Sequence, residues 1–506
     1  MNRSNPSETP RSKLQGADFL QLNPGEAPTG GLSEWLAERF RVAISDGRLP
    51  IGSRLPASRV LATELRVSRG VVTEAYQRLT EDGHVAGRGR AGTVVVAAPI
   101  GTTPRTRLHA KQNRARADGA PLDRRRPEQL PPPDLEVFDA MRAAPARIDL
   151  TPGVPDLAAF PRTAWLRAER SVLSDLSASA FGYGDPAGTP TLRLAVANWL
   201  ARNRGIKADP DDVIIVAGVS QALGLITQVL RPAGITEIAV EDPGSLGSRQ
   251  LLQWWGMRTP PIPVDSDGLR VDRLAESAAR VVLVTPAHHF PTGVVLEGER
   301  RRDLIRWAAE GGLIVEDDYD AEHRYDRPPV PALRAMLTDQ VIYAGSVSKL
   351  LAPSLRIGWM LAPPQYSEAL VGAKRLADLG NAALPQLVLA RLMESGELER
   401  QLRFLRKRHR QRRDAMIDAI SNYLPTATVH GAAAGLHLTV TFEGLGALSD
   451  VDLAAEALQA GVKTQPLSWH SQEPQPPGLV LGYAARTPTE ITEAIATLGA
   501  VAGQRV

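Results

Sequence analysis

Between residues 32 and 79 apolar side chains recur every three to four positions; beyond residue 148 they gather into short unbroken runs. In the first region Leu32, Trp35, Leu36, Phe40 and Ile44 share one face of a helix predicted to end near Asp46-Gly47. Val60, Leu61 and Leu65 fall on a short second helix that Ser58 is placed to cap, and Ser68 opens a third. That third helix turns Val71, Val72, Ala75, Tyr76 and Leu79 inward and Arg69, Gly70, Thr73 and Gln77 outward. HVAG, RGRAG and TVVV then read as a β-ribbon whose glycine-rich tip carries Arg88 and Arg90.

The later region reads differently. VIIVAGV, EIAVEDPG, RVVLVTPAHH, GGLIVEDDYD and QVIYAGSVSK each predict a buried strand ending in polar or small residues, with helical stretches between them. Runs without alternation imply a mainly parallel sheet covered by helices on both faces, with ligands bound beyond the strand C-termini. The expected fold class is therefore α/β, preceded by a small helical domain.

Between the two regions, PRTRLHAKQNRARADGAPLDRRR is basic at 105, 107, 111, 114, 116, 124, 125 and 126 against only Asp118 and Asp123, and PEQLPPPDLE follows. Neither piece has apolar periodicity, so a flexible, positively charged linker is expected. It is either a solvated tether or an added source of nucleic-acid affinity through counterion release. The predicted domains are 28–97, a linker 98–147, and 148–506.

Composition fits two domains or more: the chain has 506 residues, 43% of them hydrophobic. It lacks any run of the ~18 apolar residues that cross a membrane, and MNRSNPSETPRSK has no apolar secretory core, so a cytoplasmic protein is expected. The chain holds no cysteine, which excludes disulfides, thiolate metal sites and thiol nucleophiles, and no metal site or catalytic residue is assigned. A net charge of +3 is too small to point to nucleic acid, so the placement of basic residues carries that case. One basic run, RFLRKRHRQRRD from Arg403 to Asp414, predicts an exposed helix, either a solvated face or a second DNA surface.

Two short helices joined by a tight turn, the second opening with Ser-Arg, form the geometry that inserts a helix N-terminus into the major groove; a helical protein-interaction domain is the plainer alternative. RLPASRVLATEL and VSRGVVTEAYQRL resemble the winged helix-turn-helix of the GntR family along their whole length. The resemblance implies that Arg59 and Arg69 contact double-stranded operator DNA, with Ser68 and Thr73 beside them and Arg88 and Arg90 in the wing. Arg66 stands where that family commonly has glycine, which predicts strain if the position is left-handed.

The strand ends offer what a phosphorylated pyridine aldehyde needs. Val219 and Ser220 open a helix whose free amides suit a phosphate, and Asp317 suits a pyridinium nitrogen. Tyr319 alternates to the same side as Asp317, Lys349 supplies an amine for a Schiff base flanked by Ser346 and Ser348, and Arg356 offers a charge for the phosphate. Each alone is commonplace; their order on successive strand ends is not. With FGYGDPAGTPTLR, TPAHHFPTG and the Lys349 to Arg356 spacing, residues 148–506 resemble a fold-type I aminotransferase domain dependent on pyridoxal 5′-phosphate (PLP), with a smaller C-terminal subdomain. By that resemblance Tyr183 reaches the phosphate of the other subunit of a homodimer.

A winged helix, a linker and such a domain in one chain resemble the MocR subfamily of GntR regulators, in which the PLP domain senses a ligand. The implied function is a transcription regulator, nucleoid-associated when bound to DNA, that responds to PLP or a PLP adduct. A working aminotransferase with an accessory DNA-binding domain and a scaffold with a vestigial PLP site are the alternatives, and a residual transaminase half-reaction stays open. Three departures from the family bear on this. Ser245 follows Pro-Gly where an aromatic usually stacks on the ring, which leaves room above the cofactor. His289 replaces a customary glutamine, as a neutral hydrogen-bonding group or a titrating one. Val480, in GLVLGYA, stands where an arginine usually pairs an amino-acid carboxylate, which argues against simple transamination. The chain does not spell out the effector; the absent arginine makes PLP itself the first expectation, with a sulfonate or amine ligand behind it.

Overall fold

The structure, a computed structural model, describes residues 22, 24–28, 31–45, 48–49, 51–87, 92–96, 143–320, 322–325, 331–442 and 449–503. The chain divides into two compact units, residues 1–126 and 127–506. The basic part of the linker, Arg88 and Arg90 lie outside the described residues.

In the first unit, α1 (Leu32–Ser45), α2 (Ser58–Leu65) and α3 (Arg69–Glu81) precede an antiparallel ribbon of β1 (Val85–Gly87) and β2 (Thr93–Val95). Leu36 and Phe40 of α1 close on Leu61, Val72, Ala75 and Leu79, all of them buried. Phe40 meets Tyr76 edge-on with ring centres 5.6 Å apart, and the Tyr76 hydroxyl donates to the Pro56 carbonyl at 2.8 Å. Ser68 caps α3 by accepting from the Val71 amide at 3.4 Å. Ser58, expected to cap α2, is instead its first helical residue: the backbone turns one residue earlier, at Ala57 (φ −61, ψ 137), whose side chain has no oxygen to offer. Arg66 is left-handed at φ 55 and ψ 39, so the strain expected of a residue other than glycine there is present.

The second unit is built on an eight-stranded sheet in the order β4 (Val213–Val216), β11 (Gly358–Leu361), β10 (Val341–Ser346), β9 (Leu313–Asp318), β8 (Val281–Val284), β5 (Ala239–Asp242), β6 (Pro261–Asp265) and β7 (Gly268–Leu269). β11 is antiparallel to both neighbours and β7 returns as a hairpin; the other pairings are parallel. All the predicted apolar runs are strands of this sheet. Their pleat feeds two cores: Ile342 and Ala344 pack with Leu223 and Ile226 of α4 (Val219–Leu230), while Tyr343 packs on the other face with Trp199 and Leu389. α5 (Leu246–Trp254) follows β5.

A smaller C-terminal subdomain holds an antiparallel sheet ordered β12 (Ala427–His430), β13 (His437–Phe442), β16 (Gly478–Gly482) and β15 (Gln465–Pro466), and a separate parallel pair joins β3 (Ile148–Asp149) to β14 (Val462–Lys463). α6 (Glu397–Tyr423) and α7 (Pro488–Gly503) pack on it through Met416, Ile420, Ile491 and Ile495. The basic run in α6 is only in part the exposed face expected: Arg403, Lys407 and Arg410 are exposed, whereas Arg406, Arg408 and Arg413 are half-buried and Arg412 is buried. Arg406 donates to the Glu322 carbonyl at 2.7 Å, Arg410 to that of Tyr325, Arg412 to Asp156 and the Ala484 carbonyl, and Arg413 to the Ala432 carbonyl. Irregular backbone around the helix presents carbonyls that no ladder satisfies, and guanidinium donors satisfy them. Among the described residues no helix is long and apolar enough to cross a membrane.

Candidate functional site

Parallel strands deliver their C-terminal ends to one side of the sheet, and β4, β9 and β10 do so with the residues singled out above. Gly218, at φ 88, turns the chain from β4 into α4, so that Val219 and Ser220 open the helix. A Cβ at Gly218 would stand 3.5 Å from the Arg356 guanidinium, which also donates to the Ala217 carbonyl. Arg356 itself is exposed and left-handed at φ 51. The start of α4 and the Arg356 cation therefore adjoin at this strand end. Beneath it Gln221 accepts from the Ala217 amide at 2.7 Å and donates to Asp378 at 2.6 Å, which fixes the turn.

Asp317 pairs in register with Ala344 on β10, three residues before Ser348's neighbour Val347. Its Oδ1 is buried and has no hydrogen-bond partner among the described residues. Burial, with Asp318 and Asp320 nearby, pushes this carboxyl up to about 7 against the pull of Lys349. The neighbouring Asp318 points to the opposite face, where Arg204 bonds it at 3.1 Å and the Tyr343 hydroxyl donates to it. Lys349 donates from Nζ to the Gly153 carbonyl at 2.6 Å, and Ser346 Oγ accepts from the Ser348 amide at 3.4 Å. Tyr319 lies beside Asp317; burial first, then the Asp320 and Asp317 carboxylates, hold its phenol protonated far above the usual range.

Sequence reasoning missed several groups here. His288 Nδ1 stands 2.9 Å from Asp320 and 3.0 Å from the Tyr319 hydroxyl. Glu241 bonds both the amide and the hydroxyl of Thr285, and burial with Asp317 nearby pushes its carboxyl up to about 8. His437, from the small sheet, meets the Pro291 carbonyl at 3.0 Å. His288 and Asp320 lie within the quoted TPAHHFPTG and GGLIVEDDYD motifs, so their place there was a usable signal; nothing local flags His437, which arrives from across a subdomain boundary.

Ser245 caps α5 by accepting from the Ser248 amide at 3.2 Å, and a small pocket opens beside it, walled by Val240, Leu283, Phe290 and Asp317. His289 is buried, meets Thr292 at 2.7 Å, and has its pKa pushed down to about 3 by burial and then by His288 and His437. The neutral alternative for His289 is thus the one its surroundings favour. Val480 is buried in register with Thr439, whose hydroxyl donates to the Pro291 carbonyl at 2.5 Å. Tyr183 is 96% exposed.

In the first unit Arg59, Ser68, Arg69, Thr73 and Gln77 are exposed together on α2, the turn and α3. The Thr73 hydroxyl donates to the Arg69 carbonyl at 2.9 Å, one turn back.

Residues 32–95 match the gntR family of bacterial regulatory proteins, and residues 146–498 match the class I and II aminotransferases. Over 473 residues the chain is 32% identical to a "Probable rhizopine catabolism regulatory protein MocR" of Rhizobium meliloti, covering 92% of each chain. The chain belongs to the MocR subfamily of GntR regulators. Another relative is the pyridoxine biosynthesis regulator PdxR of Corynebacterium glutamicum, 32% identical over 83% of this chain and 84% of that one. Among solved structures, a kynurenine aminotransferase of Pyrococcus horikoshii superposes with a TM-score of 0.68 at 27% identity, over 75% of this chain and 96% of that one. MocR-type chains couple a DNA-binding module to an aminotransferase-like domain, and this one is a DNA-binding transcription regulator of that kind. Dependence on PLP belongs to the aminotransferase family whose fold it shares.

Proposed function

We propose that this regulator binds PLP at the β4, β9 and β10 strand ends and that occupancy of this site, by PLP or its adduct with an amine or sulfonate, sets its affinity for operator DNA. The observation that carries the reading is Asp317 Oδ1, a buried acceptor with no partner among the described residues, beside Lys349 and Arg356 on neighbouring strand ends. PLP, when bound, supplies an aldehyde that condenses with amines. Asp317 would accept from the ring nitrogen, and ionisation of its carboxyl is favoured once a cation faces it. Lys349, held by the Gly153 carbonyl, presents its amine. The Val219 and Ser220 amides, the Ser220, Ser346 and Ser348 hydroxyls and Arg356 would hold the phosphate, with the exposed Tyr183 completing the site of a second subunit in a cytoplasmic homodimer. Arg59, Ser68, Arg69 and Thr73, with Arg88 and Arg90, would meet the operator.

A nearly complete switch requires the ligand to prefer one state by ~5.5 kcal/mol. The small-sheet face over the site carries His437, Thr439 and Val480, so an α-carboxylate finds no arginine at that strand, which favours sensing over turnover of amino acids. Purified protein given PLP should develop visible absorbance that Lys349→Ala abolishes. A wild-type spectrum with no such band would end this reading.

A further inference from the structure

Lys374 is fully buried on the helix Pro364–Asp378, and it is not among the residues that would touch the cofactor. A lysine that only paired with an acid four residues along a helix surface would keep its ammonium in water, at little gain. Here the ammonium is enclosed, and three residues offer acceptors to it. Nζ lies 2.9 Å from Asp378 Oδ2, 2.7 Å from Asn381 Oδ1 and 3.2 Å from Gln221 Oε1.

A buried ammonium orients its neighbours, because an amide beside it must turn its oxygen towards the charge. Gln221 Oε1 is thereby held between Lys374 Nζ and the Ala217 amide, which donates to it at 2.7 Å, while Nε2 donates to Asp378 at 2.6 Å. Turning the Gln221 amide over would set its NH2 against two donors and its oxygen against a carboxylate. Asn381 is fixed in the same way: Oδ1 faces Lys374, and Nδ2 donates to the Arg356 carbonyl at 3.2 Å. Asp378 is held in turn, its Oδ1 accepting from the Gly380 amide at 2.8 Å.

The two amides reach two different segments of the chain. Gln221 holds the Ala217 peptide just before the Gly218 turn, and Asn381 holds the backbone of Arg356, which is left-handed at φ 51, a conformation that an arginine does not favour by itself. The Arg356 guanidinium then donates back to the Ala217 carbonyl. One ammonium therefore sets both the turn that opens α4 and the residue that brings a cation to it. We propose that Lys374 is a positioning residue: through Gln221 and Asn381 it aligns the start of α4 with Arg356, and so gives the site its preference for a phosphorylated ligand over the same ring without phosphate. This rests on the cofactor reading above. A lysine that only held the fold together would, when removed, weaken every ligand of the site alike.

The test compares PLP with pyridoxal, which keeps the ring and the aldehyde and lacks the phosphate, by fluorescence quenching in the full chain. Lys374→Met, which keeps an unbranched side chain without the charge, should lower PLP affinity about tenfold or more, the scale of one charge-assisted hydrogen bond, and leave pyridoxal affinity within about twofold. Asn381→Ala, which cuts only the arm to Arg356, should move the ratio of the two affinities in the same direction by less. Unchanged PLP affinity in Lys374→Met, or an equal loss for PLP and pyridoxal, would overturn the proposal. If Lys374→Met does not fold, Asn381→Ala decides by the same ratio. If the wild type takes up PLP but no measurable pyridoxal, the phosphorus NMR resonance of bound PLP decides: displaced in Lys374→Met it supports the proposal, and unmoved it overturns it. A wild-type chain that takes up no PLP overturns the cofactor reading and this inference with it.

Discussion

Arg69 on α3 stands in solvent, while Asp317 on β9 is enclosed with an oxygen that no described group answers. The first unit carries its chemistry on the outside of a helix whose inner face does the folding. The second keeps Asp317, Glu241, His288 and His437 inside, where each is displaced from its usual protonation or left partly unsatisfied. An exposed recognition face costs the fold almost nothing and can be altered without disturbing it. An enclosed site stores a cost that only its ligand offsets, and that linkage gives a sensor its leverage.

The comparison breaks most readily at Arg69. Arg69→Ala should lower specific operator affinity about ten- to a hundredfold, the scale of one bidentate base contact, as measured by fluorescence anisotropy. PLP absorbance of the DNA-free protein should not change, because Arg69 lies on the exposed face of α3; a change would mean that the substitution disturbs the fold and not the recognition face alone. Next in size is ligand stabilisation. PLP at a hundredfold excess over its dissociation constant should add ~2.7 kcal/mol to the second unit, visible in calorimetry as an upward shift of its transition alone.

The pH dependence follows from the same buried groups. Glu241 at about 8 and Asp317 at about 7 lie above their unfolded values, so the folded state holds protons that the unfolded chain has released. Their contribution is fully present below the unfolded carboxylate pKa and is lost as pH rises towards 8. His289, His437 and His470, each near 3, act in the opposite sense, raising stability as pH climbs towards the unfolded histidine value. Above ~6.5 only the carboxyls act. The ligand-free protein should therefore lose melting temperature between pH 6.5 and 8, by roughly 2–4 °C for each kcal/mol lost, and Glu241→Gln should flatten that slope. The smallest effect belongs to Arg66→Gly, which removes a left-handed arginine: a gain of about 1 kcal/mol in the first unit, read by denaturant titration.

What could be read from the chain divides along the same line. Helical periodicity exposed the winged helix because every turn repeats the same test, and the apolar runs exposed the parallel strands because burial on both faces forbids alternation. Asp317, Lys349 and Arg356 were legible since a parallel sheet fixes where functional residues must sit. His437 was not, because it comes to the site on β13 from another subdomain. Ser58 was misjudged by one residue, since a serine one position inside a helix and one at its cap look alike in sequence. The basic run of α6 misled for a different reason: charge suggests solvent, but arginines 406, 410 and 413 return to one helix face and meet backbone carbonyls there.

The central claim is that the enclosed site governs the exposed one. Operator affinity should be titrated by anisotropy with and without saturating PLP, in wild type and in Lys349→Ala. A change of tenfold or more in wild type, absent in Lys349→Ala, is the predicted result, ~1.4 kcal/mol of coupling. Equal operator affinity with PLP visibly bound and with PLP absent would contradict it.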